Sequence, residues 1–75
     1  MPAEEEIRRY RVRGRVQGVG FRAFVWRETQ GLAVRGWVRN VADGTVEVVA
    51  AGDRAVQKSL ERILRQGPRW SRVEG

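Results

Sequence analysis

The sequence predicts an α+β sandwich: an antiparallel sheet covered on one face by two helices. Three observations carry this. Residues 9–16 alternate strictly between arginine and small or apolar residues, the period of a strand with one buried face. Asp43-Gly44 stands between two further alternating runs, a strong hairpin signal. Residues 52–68 carry one apolar stripe at helical spacing and stop at Gly67-Pro68.

Met1 to Glu6 reads as a disordered acidic tail. In the first strand, Tyr10, Val12, Gly14 and Val16 share one face, and Arg9, Arg11, Arg13 and Arg15 the other. "QGVGF" breaks the alternation. "RAFVWRETQGL" then places Phe21, Phe24, Val25, Glu28 and Leu32 near a helical spacing, which predicts an amphipathic helix ending near Gly31. "AVRGWVRNV" is the second strand, "ADGT" the turn and "TVEVVAA" the third strand. In "GDRAVQKSLERILRQGP", Asp53 caps a helix whose stripe is Val56, Leu60, Ile63 and Leu64. "RWSRVEG" begins an extended segment. The order strand, helix, strand, strand, helix, partial strand is the ferredoxin-like arrangement, with the final strand truncated. All 75 residues are expected to form one domain.

Composition excludes several chemistries. The sequence has no cysteine and no histidine, so there is no thiol nucleophile, no serine–histidine triad and no ordinary zinc site. No metal and no cofactor are expected. No apolar run is long enough to span a bilayer, and the acidic N-terminus is unlike a signal peptide, so a cytoplasmic protein is expected. There are 15 Lys+Arg against 9 Asp+Glu, a net charge of +6, and Lys58 is the only basic residue that is not arginine. Such a surface attracts anions, and arginine matches phosphate and carboxylate with a planar fork of donors.

"GRVQGVGFR", residues 14–22, is the candidate site. Backbone N–H groups converging at a strand-to-helix turn make a nest for an anion, and the positive end of the following helix adds to it. Arg22, at the start of that helix, could fork onto two oxygens of a bound phosphate. The stretch fits neither a Walker A loop nor the three-glycine dinucleotide fingerprint. Read alone, Gly18 and Gly20 serve equally as turn glycines, and Arg22 as a solvated side chain.

"GRVQGVGFR" followed by "GWVRNVADGTVEVVAAG" resembles the acylphosphatase family, over about Val12 to Pro68. The resemblance implies the ferredoxin-like fold and hydrolysis of small acyl phosphates to a carboxylate and inorganic phosphate without metal. It implies that the backbone N–H groups of Gln17, Gly18, Val19, Gly20, Phe21 and Arg22 hold the phosphate. Arg22 would bind and polarise it, and Asn40 would orient the attacking water. Without the resemblance, Asn40 reads as a hairpin-end asparagine satisfying the backbone before Asp43-Gly44. The family also implies further residues beyond Gly75 and a strand beside the first. A monomer is expected unless the open edge of the first strand drives dimerisation.

Trp26, Trp37 and Trp70 read as core or half-buried packing residues, with Trp37 alternatively stacking on the exposed sheet face. The strand-one arginines are expected to line that face, paired in part with Glu47. An open basic sheet is also how a common RNA-binding module works. That mode needs aromatics on the central strands, and "TVEVVAA" has none, so no specific nucleic acid is expected. The alternative is a non-catalytic or fragmentary acylphosphatase-like domain that binds anions or nucleic acid.

Overall fold

The structure, a computed structural model, describes residues 4–75. Its elements are β1 (Glu6–Val12), β2 (Gly14–Arg15), α1 (Phe21–Glu28), β3 (Arg35–Asn40), β4 (Val46–Gly52), α2 (Arg54–Gln66) and β5 (Arg72–Val73). β1, β4 and β3 form an antiparallel sheet in that order, and β2 pairs antiparallel with β5. Both helices pack on the face that carries Val12, Val38, Val46, Val48 and Ala50 and close a core with Phe21, Phe24, Val25, Leu60 and Leu64. This is the ferredoxin-like α+β sandwich.

The expected acidic tail is shorter than residues 1–6. Residues 1–3 lie outside the described residues, but Glu6 is already in β1, opposite Gly52, and its carboxylate pairs with Arg8 at 2.6 Å. Glu5 pairs with Arg35. The surplus of arginine gives these acids partners, and the first strand extends to meet them.

The first strand also breaks where the alternation runs on. After Val12 the backbone turns at Arg13, whose N–H donates to Gly75 O at 2.8 Å while its carbonyl accepts from Glu74 N at 2.9 Å. Gly14 has φ 117°, and a Cβ there would lie 2.1 Å from Arg72 O. Glycine at this position is required by the close approach of β5. The C-terminal segment therefore pairs with the continuation of the first strand, as a two-residue strand with flanking backbone bonds.

α1 stops at Glu28 rather than near Gly31. The Thr29 hydroxyl donates to Val25 O at 2.7 Å and the Gln30 amide to Trp26 O at 2.8 Å, so side chains satisfy the last carbonyls and the turn closes early. α2 matches its expected caps. Asp53 Oδ1 accepts from Val56 N at 2.8 Å, and Gly67, with φ 63°, ends it.

The tryptophans do not pack inside. Trp26, Trp37 and Trp70 are 66%, 48% and 71% exposed. Phe21, Phe24 and Val25 take the core positions of α1, which turns Trp26 outward. Trp37 lies on the uncovered sheet face, with the Arg39 guanidinium 5.4 Å from its ring. Among the described residues no helix is long and apolar enough to cross a membrane.

Candidate active site

The turn between β2 and α1 is built by its ends. Val16 and Phe21 are 1% and 2% exposed, and burying a ring such as that of Phe21 contributes about 1.5–3 kcal/mol. Between these anchors, Gly18 and Gly20 take φ of 74° and 79°, the left-handed region that other residues enter at a cost of about 1–2 kcal/mol. No other atom lies within 4 Å of where a Cβ would stand on either. Both glycines are therefore needed for conformation, and the space above them is open.

Among the turn and loop hydrogen bonds of the described residues, none is donated by a backbone N–H of residues 17–22. Gly20 occupies the N-cap of α1 without a side-chain cap, and the first turn of α1 holds no acidic residue. The helix start thus presents unpaired N–H groups and the positive end of its dipole to solvent.

Gln17 adds what composition does not suggest. Its Nε2 donates to Val41 O at 2.7 Å and to Thr45 O at 2.8 Å, tying the glycine turn to the β3–β4 hairpin. Asn40 ends β3 directly before Val41, opposite Val46. The hairpin does not rely on the Asn40 side chain. Asp43 Oδ1 accepts from Thr45 N at 3.0 Å and from Thr45 Oγ1 at 2.6 Å, and Gly44 N donates to Val41 O at 3.0 Å. The Thr45 bonds, with Arg11 nearby, hold the Asp43 carboxyl below the usual range.

The result is an open cavity of about 560 Å³ lined by Gly18, Gly20, Phe21, Arg22, Trp26, Val38 and Asn40, together with Val16 and Ala23. Arg22 and Asn40, far apart in sequence, meet there. Arg22 is exposed, and among the described residues it forms no ion pair, unlike Arg8, Arg9, Arg11, Arg27, Arg35, Arg39 and Arg54 but in common with Arg13, Arg15, Arg62, Arg65, Arg69 and Arg72. Of these unpaired arginines it is the one that lines the cavity. Gln17 and Val19 do not line the cavity. Gln17 acts from behind as a tether, and Val19 packs against the core. Local sequence marks Trp26 only as a packing residue, although it follows Arg22 by four positions and so shares its helix face.

The open face of the sheet is organised separately. Glu47, 3% exposed, lies beneath Arg39, Arg11 and Arg9 at 2.9, 3.5 and 3.6 Å. The expected pairing of the strand-one arginines with Glu47 is seen for Arg9 and Arg11.

An antiparallel sheet backed by two helices in this order defines the ferredoxin-like sandwich. Two solved structures share it: the acylphosphatase from Bacillus subtilis, with TM-score 0.88 and 39% identity over 96% of this chain and 79% of that one, and an acylphosphatase from Coxiella burnetii, with TM-score 0.87 and 38% identity over 95% and 75%. The Acylphosphatase family model matches residues 8–75. An acylphosphatase of Koribacter versatilis is 54% identical over 99% of this chain and 67% of its own length, and one of Rhizobium etli is 49% identical over 100% and 80%. The chain belongs to the acylphosphatase family, and it is an enzyme of the hydrolase class.

Proposed function

We propose that the chain hydrolyses the carboxyl–phosphate bond of small acyl phosphates. The phosphate sits in the turn of residues 17–22 on backbone N–H groups, and Arg22 forks onto two of its oxygens. Asn40 holds a water in line with phosphorus. The water oxygen bonds to phosphorus as the phosphorus–oxygen bond to the acyl group breaks, the electron pair leaves with the carboxylate, and the water's proton passes to the phosphate. A carboxylate is a weak base and departs without protonation, so a site with no histidine, cysteine or carboxylate among its lining residues suffices. Positioning of the water and stabilisation of charge on the equatorial oxygens supply the catalysis.

The observation that carries this reading is the meeting of Arg22, unpaired among the described residues, with Asn40 and the two left-handed glycines around one open cavity. With it go a small-molecule substrate, no metal or cofactor, no specific nucleic-acid partner and the expected cytoplasmic location.

The test is hydrolysis of benzoyl phosphate in excess chelator by the parent, Arg22→Ala and Asn40→Ala, each checked for a folded circular-dichroism signal. Turnover should resist the chelator and fall about 100- to 1000-fold in Arg22→Ala, the usual loss on removing one preorganised charge-stabilising donor. Asn40→Ala should lose turnover while inhibition by inorganic phosphate changes little. A folded Arg22→Ala variant with parental activity would sink the proposal, as would loss of parental turnover to the chelator.

A further inference from the structure

We infer that a trough beside the cavity seats the acyl group of the substrate, and that the enzyme therefore prefers acyl phosphates with aromatic or branched apolar acyl groups. The inference rests on the reaction proposed above and names its substrate class. The trough, about 490 Å³, runs between α1 and β3, and its lining includes Val25, Val48 and Leu60 of the core. It shares two residues with the cavity that holds Arg22 and Asn40: Trp26 and Val38 line both.

The geometry gives the two spaces a common direction. Trp26 follows Arg22 by one helical turn, about 6 Å along α1, on the same helix face. Val38 precedes Asn40 by two residues, about 7 Å along β3, on the same strand face. The apolar pair thus lies beside the polar pair on both walls. The acyl carbon of an acyl phosphate is two bonds from phosphorus, so with phosphate at the glycine turn its substituent reaches the Trp26–Val38 neck and continues into the trough.

The trough offers such a group apolar contact with Val25, Leu32, Val34 and Leu60, beside polar walls from Thr29, Gln30 and Arg35. Its polar wall residues are engaged elsewhere: Thr29 on Val25 O, Gln30 on Trp26 O and Arg35 on Glu5. Trp26 is 66% exposed. A large indole left open at the mouth of a site gains contact area when a ligand ring covers it.

The test is the ratio of kcat/KM for benzoyl phosphate to that for acetyl phosphate, measured for the parent, Trp26→Ala and Trp26→Phe. In parallel, calorimetry measures binding of the non-hydrolysable benzoylphosphonate and acetylphosphonate. The parent should favour the benzoyl member of both pairs. In Trp26→Ala that preference should shrink about tenfold, the scale of one apolar contact in a specificity pocket, and Trp26→Phe should restore part of it. A merely structural role would lower both substrates together and leave the ratio unchanged. An unchanged ratio, or a parent without preference in either measurement, overturns the subsite while leaving the reaction intact. A parent that hydrolyses neither substrate yet binds the benzoyl phosphonate selectively, with selectivity lost in Trp26→Ala, upholds the subsite and overturns the reaction.

Discussion

The Gln17 carboxamide donates both its hydrogens across the site, to Val41 O and Thr45 O at 2.7 and 2.8 Å. Both carbonyls already accept backbone bonds, from Gly44 N and Val41 N, so truncating Gln17 leaves neither without a partner. Gln17→Ala should therefore cost only about 1 kcal/mol of stability, the net worth of a typical hydrogen bond. What it removes is the tie between the turn beside Arg22 and the strand end that carries Asn40. A misplacement on the order of 1 Å can cost about 100-fold in rate, so kcat should fall by about 10- to 100-fold in a variant that urea melts show to be fully folded. Inhibition by phosphate should be nearly unchanged. Parental kcat in the folded variant would show that the turn and hairpin keep their spacing without the tether. Gly18, Gly20 and Arg22 were legible as a unit because they are adjacent in sequence. Asn40 came into view through the family resemblance alone, since local sequence offered it a turn role that Asp43 fills instead. Nothing local marks Gln17 as a cross-chain tether.

At the scale of elements, Glu47 joins three strands. Its register row runs from Arg11 of β1 through β4 to Arg39 of β3, and Arg9 adds a third guanidinium. The Arg39 hydrogen bond, outweighing desolvation and helped by the arginine charges, holds the Glu47 carboxyl below its ordinary value. A carboxyl lowered in the folded state is protonated more readily in the unfolded one. Its contribution is thus present at neutral pH and is lost as pH falls below about 4 and through the lowered value. The parent melting temperature should drop steeply in acid. That of Glu47→Gln should be lower at pH 7 and flatter below pH 4, and parallel curves in thermal scans from pH 7 to pH 3 would remove Glu47 from the account. Alternation and the Asp-Gly turn placed Glu47 among arginines. Its burial was not legible, because the arginine stems cover it. Gln57 was missed for a similar reason. Its amide reads as polar, yet positions 57, 60 and 64 share one helical stripe. The side chain is 0% exposed, donating to Ala50 O and Glu6 O and accepting from Tyr10 Oη at 2.9, 3.1 and 2.7 Å.

For the molecule as a whole, the order of elements was readable from periodicity, whereas the reach of β5 was not, because it depends on Gly14 letting two backbones approach. β1 ends the β1-β4-β3 sheet, so over Glu6–Val12 its outer edge is unpaired by strands among the described residues. It borders a groove of about 430 Å³ between Tyr10, Val12, Leu64 and Val73. A bare edge is a template for a second strand. Two copies meeting edge to edge would bring together chains of net charge +6 each, with Arg11 and Arg65 among the groove walls. At low ionic strength that repulsion reaches farther than the strand spacing, whereas the screening length is about 10 Å at 0.1 M salt and about 3 Å at 1 M. The 75-residue chain should therefore sediment as a monomer in 20 mM salt and begin to self-associate as salt is raised toward 1 M. Arg65→Glu should associate at lower salt, since it removes like charge beside the edge and, unlike a change at Arg11, leaves the pairing with Glu47 intact. A dimer already present at 20 mM salt, or association that weakens as salt rises, would show that attractive contacts rather than charge govern this edge.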